Sequence, residues 1–347
     1  MKTIAAVLED IKRPLSILEL DIPLLKPGQI LVEIEFSGVC HSQLMEARGY
    51  RGEDKFLPHL LGHEGTGTVV QIGGGVTKVK IGDKVILGWI KAEGMDVAGT
   101  HYQLGNMVVN AGGVTTFSTL SVVSENRCVL IPKGIPMDVA VLFGCAIPTG
   151  AGMVINHVKP NQGSSIAIFG LGGIGMSAIM ATMLYKCSKV IAIDVEDSKL
   201  EMAREFGATH TINSSRQKAI EAIRELTKGS GVDFSIEAAG LTTTIETAFQ
   251  AVRKSGGLCV FASHPKTGEC ISIDPYDLIC GKRIEGSWGG ESKPDKDIPL
   301  MAELYRKGQL PLEKLLSKRY SLKQINEAFE DLEKRRIVRA VIDMKQK

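Results

Sequence analysis

Residues 165–180 read SIAIFGLGGIGMSAIM. An apolar, β-rich run ends at Phe169, and Gly170, Gly172 and Gly175 then fall in a G-x-G-x-x-G frame, with Gly173 between them, before an apolar helical run begins. Glycines are needed at such a junction because the chain must turn tightly and let its backbone approach a pyrophosphate, which then rests on the positive end of the helix. The next strand-like run, KVIAID, ends in Asp194, at about the 20-residue spacing where a carboxylate takes both ribose hydroxyls. An acid there repels a 2′-phosphate, so the reading favours NAD over NADP. Outward from this stretch the rhythm persists to about residue 288: the helix of SKLEMAREFG, then VDFSIEAAG, a helix from Thr242, GLCVFAS and RIEGSW. Strands alternating with helices of this length predict βαβ units on a doubly wound parallel sheet.

Residues before about 147 follow a different pattern. Alternating runs such as QILVEIEF and GTVVQI are broken by KPG, GGG and GDK, which is the turn chemistry of a β-rich domain. The tail changes again, with a helix near 297–307, a Ser321/Gln324 capping box ahead of INEAFEDLEK, and a closing IVRAVIDM run. These patterns predict an α/β protein with a β-rich domain (1–147) interrupted by a nucleotide-binding domain (148–288), the C-terminal part (289–347) rejoining the first. The length of 347 residues suits two domains at roughly 100–200 residues each.

Hydrophobic residues make up 44 % of the chain and charged ones 23 %, with a net charge of only +2. That balance, with lysines and arginines dispersed, gives no electrostatic ground for a nucleic-acid partner. No apolar run approaches the ~20 residues of a membrane span, and the N-terminal MKTIAAVLED meets acid too early for a signal peptide. Seven cysteines, an odd and scattered set without a CxxC pair, argue against a disulfide framework and for a reducing cytoplasm.

Three segments carry further chemistry. Cys40 and His41 stand together in GVCHSQLM, His63 and Glu64 in GHEGTG, and Cys145 in FGCAIPTG. Cys40, His63 and Cys145 offer two thiolates and an imidazole, a set that zinc takes tetrahedrally, a catalytic zinc keeping its fourth position open. Because the three lie far apart in sequence, spacing alone leaves the Cys40–His41 pair open between metal site, nucleophilic pair and chance.

GHEGTGTVVQIGGGV, with Gly62, His63, Glu64, Gly67, Gly73 and Val76, resembles the zinc-alcohol-dehydrogenase signature of the medium-chain dehydrogenase/reductase family. GVCHS, GDKV, TTFSTLSVV, the Cys145 segment, FGLGGIG, GVDFSIEAAG and IVRAVI extend the resemblance over nearly the whole chain. It implies a GroES-like catalytic domain split around a Rossmann domain, with Cys40, His63 and Cys145 as ligands of one catalytic zinc and NAD as cofactor. Glu64 matches an acid close to the metal that can swing in to ligate it. His41 matches a position touching the cofactor pyrophosphate, Lys199 the basic residue near the adenosine ribose, and Arg339 the C-terminal arginine that reaches the pyrophosphate. Thr149 matches a residue packed against the nicotinamide, and Ser42 the hydroxyl that takes the alcohol proton. The implied activity is oxidation of a primary or secondary alcohol to its aldehyde or ketone, or the reverse, by a cytoplasmic homodimer or homotetramer.

The chain departs from the family in three places. Residues 85–114 occupy the region where relatives carry four cysteines for a structural zinc and contain none, so that second zinc is not expected. Gln43 replaces a usual aspartate that orients a zinc ligand, and Gln43→Asp is expected to tighten zinc retention. Met45 stands where some relatives end a proton relay in histidine. His264, after GLCVFAS, is expected near the nicotinamide pocket as a relay or substrate contact, and Trp89 and Phe117 match positions lining the substrate barrel. Two other readings differ from this one in the residues they require. A zinc-free NADPH-dependent quinone or enone reductase would lack the ligand trio, and a non-catalytic NAD-binding sensor would have no need of an open thiolate site.

Overall fold

The structure, a computed structural model, describes residues 1–346. It divides into two compact units: Met1–Cys145 with Lys293–Arg306 and Leu312–Lys347, and Ala146–Ser292 with Lys307–Pro311. The sequence boundary at 147/148 and this division, at Cys145/Ala146, differ by two residues.

In the first unit, the strands Lys2–Leu8, Ser16–Asp21, Thr100–Leu104, Met107–Ala111 and His59–Leu60 close into a barrel. The eleven-residue strand Gln29–Val39 organises the remaining sheet, pairing antiparallel with Glu64–Ile72, Leu120–Ser124 and Arg339–Asp343. It is buried on both faces except at Glu33 and Glu35, as suits a central strand rich in β-branched and apolar residues. Register then positions the chemistry: Ser37 lies opposite Gly65 on one neighbour, and Val39 opposite Ala340 on the other. Cys40, Glu64 and Arg339 therefore fall at adjoining strand ends. Below them, Val39, Leu44, Phe117, Ile325 and Phe329 pack into one core cluster, with the Phe117 and Phe329 rings edge-on at 6.1 Å. Phe117, only 1 % exposed, is thus a core residue here; Trp89 is half-buried. The short helix His41–Ala47 is pinned by Leu44, whose burial contributes roughly 1.5–3 kcal/mol.

The second unit is a six-stranded sheet with every neighbour parallel. Its order is His210–Asn213, Lys189–Asp194, Ser165–Phe169, Phe234–Glu237, Leu258–Phe261 and Arg283–Gly286. Numbered along the chain this is 3-2-1-4-5-6, the doubly wound order of dinucleotide-binding folds. SIAIF and KVIAID are nearly continuous apolar runs because both faces of a parallel sheet are covered. The order reverses between Ser165–Phe169 and Phe234–Glu237, and the glycine loop leaves the sheet at that switch point, where such folds bind ligands. Among the described residues, no single helix is long and apolar enough to cross a membrane.

Candidate active site

In the first unit, Cys40 follows the buried strand Gln29–Val39 and caps the helix His41–Ala47, His63 precedes the strand Glu64–Ile72, and Cys145 ends the unit's first segment. One ligand atom from each of the three lies within 4.8 Å of the other two, and the sulfurs of Cys40 and Cys145 are 4.0 Å apart. His63 Nε2 is shut off from solvent without a hydrogen-bond partner. A histidine with an unpartnered, buried ring nitrogen, gathered with two cysteine sulfurs, fits a zinc ion on donor chemistry alone.

The electrostatics agree. The hydrogen bond from Cys145, opposed by burial and aided by His63 and Arg339, holds the Cys40 thiol well below its ordinary range. Cys145 is pushed well above it by the same hydrogen bond to Cys40 and by burial, so the first proton leaves this pair readily and the second does not. Burial disfavours charge on His63, yet the Cys40 sulfur beside it and the Glu64 carboxylate together outweigh this and raise its pKa.

Glu64 is fully buried and accepts a hydrogen bond from the Arg339 guanidinium, itself 5 % exposed. Gly38 makes room for it: a Cβ there would meet Glu64 Oε1 at 2.4 Å. Burial opposes the charge on Arg339, but the Glu64 carboxylate and the two cysteines raise its pKa. In this structure, then, Arg339 holds Glu64 beside the thiols, a pairing that the sequence reading did not foresee.

Gln43, 2 % exposed, lies between the two ligand-bearing segments. Turned one way, its amide oxygen accepts from the Cys40 N–H at 3.3 Å; turned the other, it accepts from Gly62 at 2.5 Å and His63 at 3.1 Å. His41 is exposed at the first turn of the helix, Ser42 follows half-buried, and Met45 is buried.

In the second unit, Gly170 leaves the first strand, Gly172 precedes the helix Gly173–Thr182, and Gly175 lies in its first turn. A Cβ on Gly175 would meet Gly170 O at 1.9 Å, whereas one on Gly172 would meet nothing within 4 Å. The open space at Gly172, over a helix N-terminus, fits a dinucleotide pyrophosphate. Asp194 turns one carboxylate oxygen back to the loop, accepting from Leu171 N–H at 2.7 Å, and Lys199 stands half-buried on the following helix. Thr149 is buried with its hydroxyl unpartnered. His264 is exposed, its Nδ1 against the Pro265 carbonyl.

Glu237 also belongs to this loop cluster and was not anticipated. Its Oε1 accepts from Ala239 N–H at 2.9 Å, Gly240 N–H at 2.8 Å and the Thr244 hydroxyl at 2.7 Å, while burial raises its pKa. An acid ending the apolar run of FSIEAAG was the available signal.

Residues 26–133 match the alcohol dehydrogenase GroES-like domain and residues 173–307 the zinc-binding dehydrogenase domain. The chain is 33 % identical to S-(hydroxymethyl)glutathione dehydrogenase of Saccharomyces cerevisiae over 99 % of its own length and 96 % of the relative's. The same name is carried by a Synechocystis protein that is also 33 % identical, over 99 % of this chain and 100 % of that one. Among solved structures, an alcohol dehydrogenase zinc-binding domain protein from Burkholderia ambifaria superposes with a TM-score of 0.91 at 31 % identity, covering 100 % of both chains. Benzyl alcohol dehydrogenase of Acinetobacter calcoaceticus superposes with a TM-score of 0.89 at 30 % identity, over 99 % of each. On its motifs, its fold and these likenesses, the chain belongs to the zinc-containing alcohol dehydrogenase family of the medium-chain dehydrogenase/reductase superfamily.

Proposed function

We propose that this protein is an NAD-linked, zinc-dependent dehydrogenase that exchanges a hydride between a primary or secondary alcohol and the cofactor. The observation that carries the reading is the convergence of Cys40, His63 and Cys145, with the buried Nε2 of His63 left without a partner.

Cys40, His63 and Cys145 would hold the zinc ion, which supplies a Lewis acid for the alcohol or carbonyl oxygen. Gly170, Gly172, Gly173 and Gly175 would seat the pyrophosphate of NAD, the hydride acceptor, with Asp194 on the ribose hydroxyls and His41 and Lys199 adding positive charge. Ser42, on the turn after Cys40, receives the alcohol proton at its Oγ and passes its own onward. The buried apolar side chain of Met45 offers no further relay along the helix, so the proton leaves by another path. Glu64 and Arg339 keep a fixed pair of opposite charges against the thiols, and Thr149 offers its hydroxyl at the nicotinamide end. His264 supplies a polar contact for substrate or a proton relay.

The substrate class rests on the relatives: S-(hydroxymethyl)glutathione for those at 33 % identity and benzyl alcohol for the solved enzyme. The test is NADH formation with a panel holding both compounds and short aliphatic alcohols, with and without a zinc chelator and again with NADP. Turnover with NAD that the chelator abolishes is expected. Chelator-resistant turnover, or turnover with NADP alone, would replace this reading with the reductase branch.

A further inference from the structure

The strands Ser165–Phe169, Phe234–Glu237 and Leu258–Phe261 lie side by side, with Glu237 level with Phe169 on one side and Phe261 on the other. Their loops therefore leave the sheet together, at the carboxyl end where a doubly wound fold takes its ligand. Ala238 N–H donates to the Phe169 carbonyl at 2.8 Å. A Cβ on Gly170 would lie 2.6 Å from Ala239 N and 2.7 Å from Ala239 Cβ, so the turn after Glu237 stands hard against the glycine loop. Gly240, at φ +78°, closes the other side: a Cβ there would lie 3.1 Å from Ser263 Cβ and 3.4 Å from the His264 carbonyl oxygen. The turn 238–240 is thus wedged between the glycine loop and the loop that carries His264.

Past Ala238 the chain has left the sheet, and the helix Thr242–Ala251 has not begun. The N–H groups of this turn need acceptors from elsewhere. One atom supplies them: Glu237 Oε1 accepts from Ala239 N–H, Gly240 N–H and the Thr244 hydroxyl at 2.9, 2.8 and 2.7 Å. Glu237 Oε2 is buried with no partner, and burial raises the pKa of the acid despite the three bonds. A buried acceptor left unmet opposes folding, so its place beside a binding crevice points to a role in the site rather than in the core.

We propose that Glu237 is a positioning residue for the dinucleotide: through Oε1 it sets how far the turn 238–240 stands from the glycine loop, and so the width of the crevice that takes the cofactor at the switch point. It touches neither cofactor nor substrate itself. The proposal rests on the reading of Gly170, Gly172 and Gly175 as the dinucleotide loop.

The test titrates the full chain with NADH and NADPH, followed by fluorescence, in two variants that separate reach from charge. Glu237→Gln keeps the side-chain length and one acceptor oxygen. Glu237→Asp keeps the charge but withdraws the acceptor from the turn by one methylene. Glu237→Gln is expected to bind NADH within about threefold of wild type, and Glu237→Asp at least about tenfold more weakly, toward the ~100-fold that a displacement of about 1 Å can cost. KM for NAD should rise with the dissociation constant in Glu237→Asp, while KM for alcohol at saturating NAD and the zinc content stay as in wild type. Titration stoichiometry counts the folded fraction, so a merely less stable variant shows fewer sites at wild-type affinity, and that result would overturn the proposal. So would equal weakening in both variants, because charge and not reach would then be the determinant. If Glu237→Asp does not fold, Thr244→Val decides: it removes one of the three bonds and should weaken NADH about threefold or more, and unchanged affinity would overturn the proposal. Wild type that binds neither dinucleotide would remove the dinucleotide reading as well, whereas binding by wild type and Glu237→Asp alike would remove this proposal alone.

Discussion

Arg339 donates to Glu64 across 275 positions of sequence, with the two side chains 6 % and 0 % exposed. A buried pair of this kind contributes little net stability, but loss of one partner strands the other charge, at a cost of roughly 3–5 kcal/mol. Arg339→Ala should therefore destabilise the protein on that scale in denaturant unfolding, and adding Glu64→Gln should restore part of the loss, a coupling that a double-mutant cycle reads directly. An Arg339→Ala cost below about 1 kcal/mol would show that Glu64 finds its compensation elsewhere.

Gln43 lies between backbone donors on two sides, and its amide oxygen reaches Cys40 in one orientation or Gly62 and His63 in the other. Whichever way the amide turns, its NH₂ faces a donor. A carboxylate of the same length has an acceptor for each side, so Gln43→Glu should tie the Cys40 and His63 segments together more firmly than the shorter Gln43→Asp. Groups behind metal ligands typically alter affinity about 10–100-fold, and zinc release to a chelator should slow toward that range in Gln43→Glu. Equal release rates in wild type and variant would refute the idea.

The glycine loop separates folding from binding. Gly175→Ala forces a Cβ to within 1.9 Å of Gly170 O, so the loop must shift, at roughly 1–3 kcal/mol. Gly172→Ala meets no protein atom within 4 Å and should leave stability within about 0.5 kcal/mol, yet the added methyl occupies the space assigned to the pyrophosphate. NAD affinity by calorimetry should fall in Gly172→Ala at unchanged melting temperature. Unaltered affinity would move the pyrophosphate away from this loop.

His264 is exposed on the loop that follows Leu258–Phe261. If it contacts substrate or relays a proton, His264→Ala should raise KM for alcohol or shift the pH–rate profile while leaving stability within about 0.5 kcal/mol, as exposed substitutions usually do. An unchanged profile together with unchanged Michaelis constants would end its functional assignment.

How much of this was legible depended on range. The sheet strands in SIAIF and KVIAID announced themselves because burial on both faces demands continuous apolar runs. The edge strand His210–Asn213, reading HTIN, has no such run, so neither it nor the helix Ala219–Leu226 was anticipated. The helix His41–Ala47 was missed for a similar reason: seven residues give too few turns for an apolar period, and packing of Leu44 holds it. Cys40 and Cys145 could be nominated by residue type, but only the packing of the helical turn Val141–Gly144 against the strands brings their sulfurs to 4.0 Å. The family resemblance suggested a pyrophosphate contact for Arg339, whereas the Glu64 bond arises from the pairing of strands at opposite ends of the chain.

Asp331 ties the last helix to the strand Leu316–Ser321 and gives the first unit a pH signature. Its carboxylate accepts from the Tyr320 hydroxyl at 2.6 Å and from Lys318 and Arg336 at 3.1 Å each. These bonds, that from Tyr320 first, lower its pKa to about 2, against about 3.9 in an unfolded chain. A depressed acid contributes stability that is fully present above the unfolded value and is lost as pH falls through the folded one. The loss should thus run from about pH 4 down to about 2. At the other extreme, burial and the bond to Asp331 push Tyr320 up to about 12, so the phenol stays protonated in the folded state, and stability declines as pH rises from about 10 toward 12. Urea unfolding of wild type and Asp331→Asn, compared across both ranges, isolates the pair from the other titrating groups. The difference between the two proteins should be constant between about pH 5 and 9 and shrink toward pH 2. A difference that stays flat down to pH 2 would mean that the Asp331 carboxylate is not held ionised by these three donors.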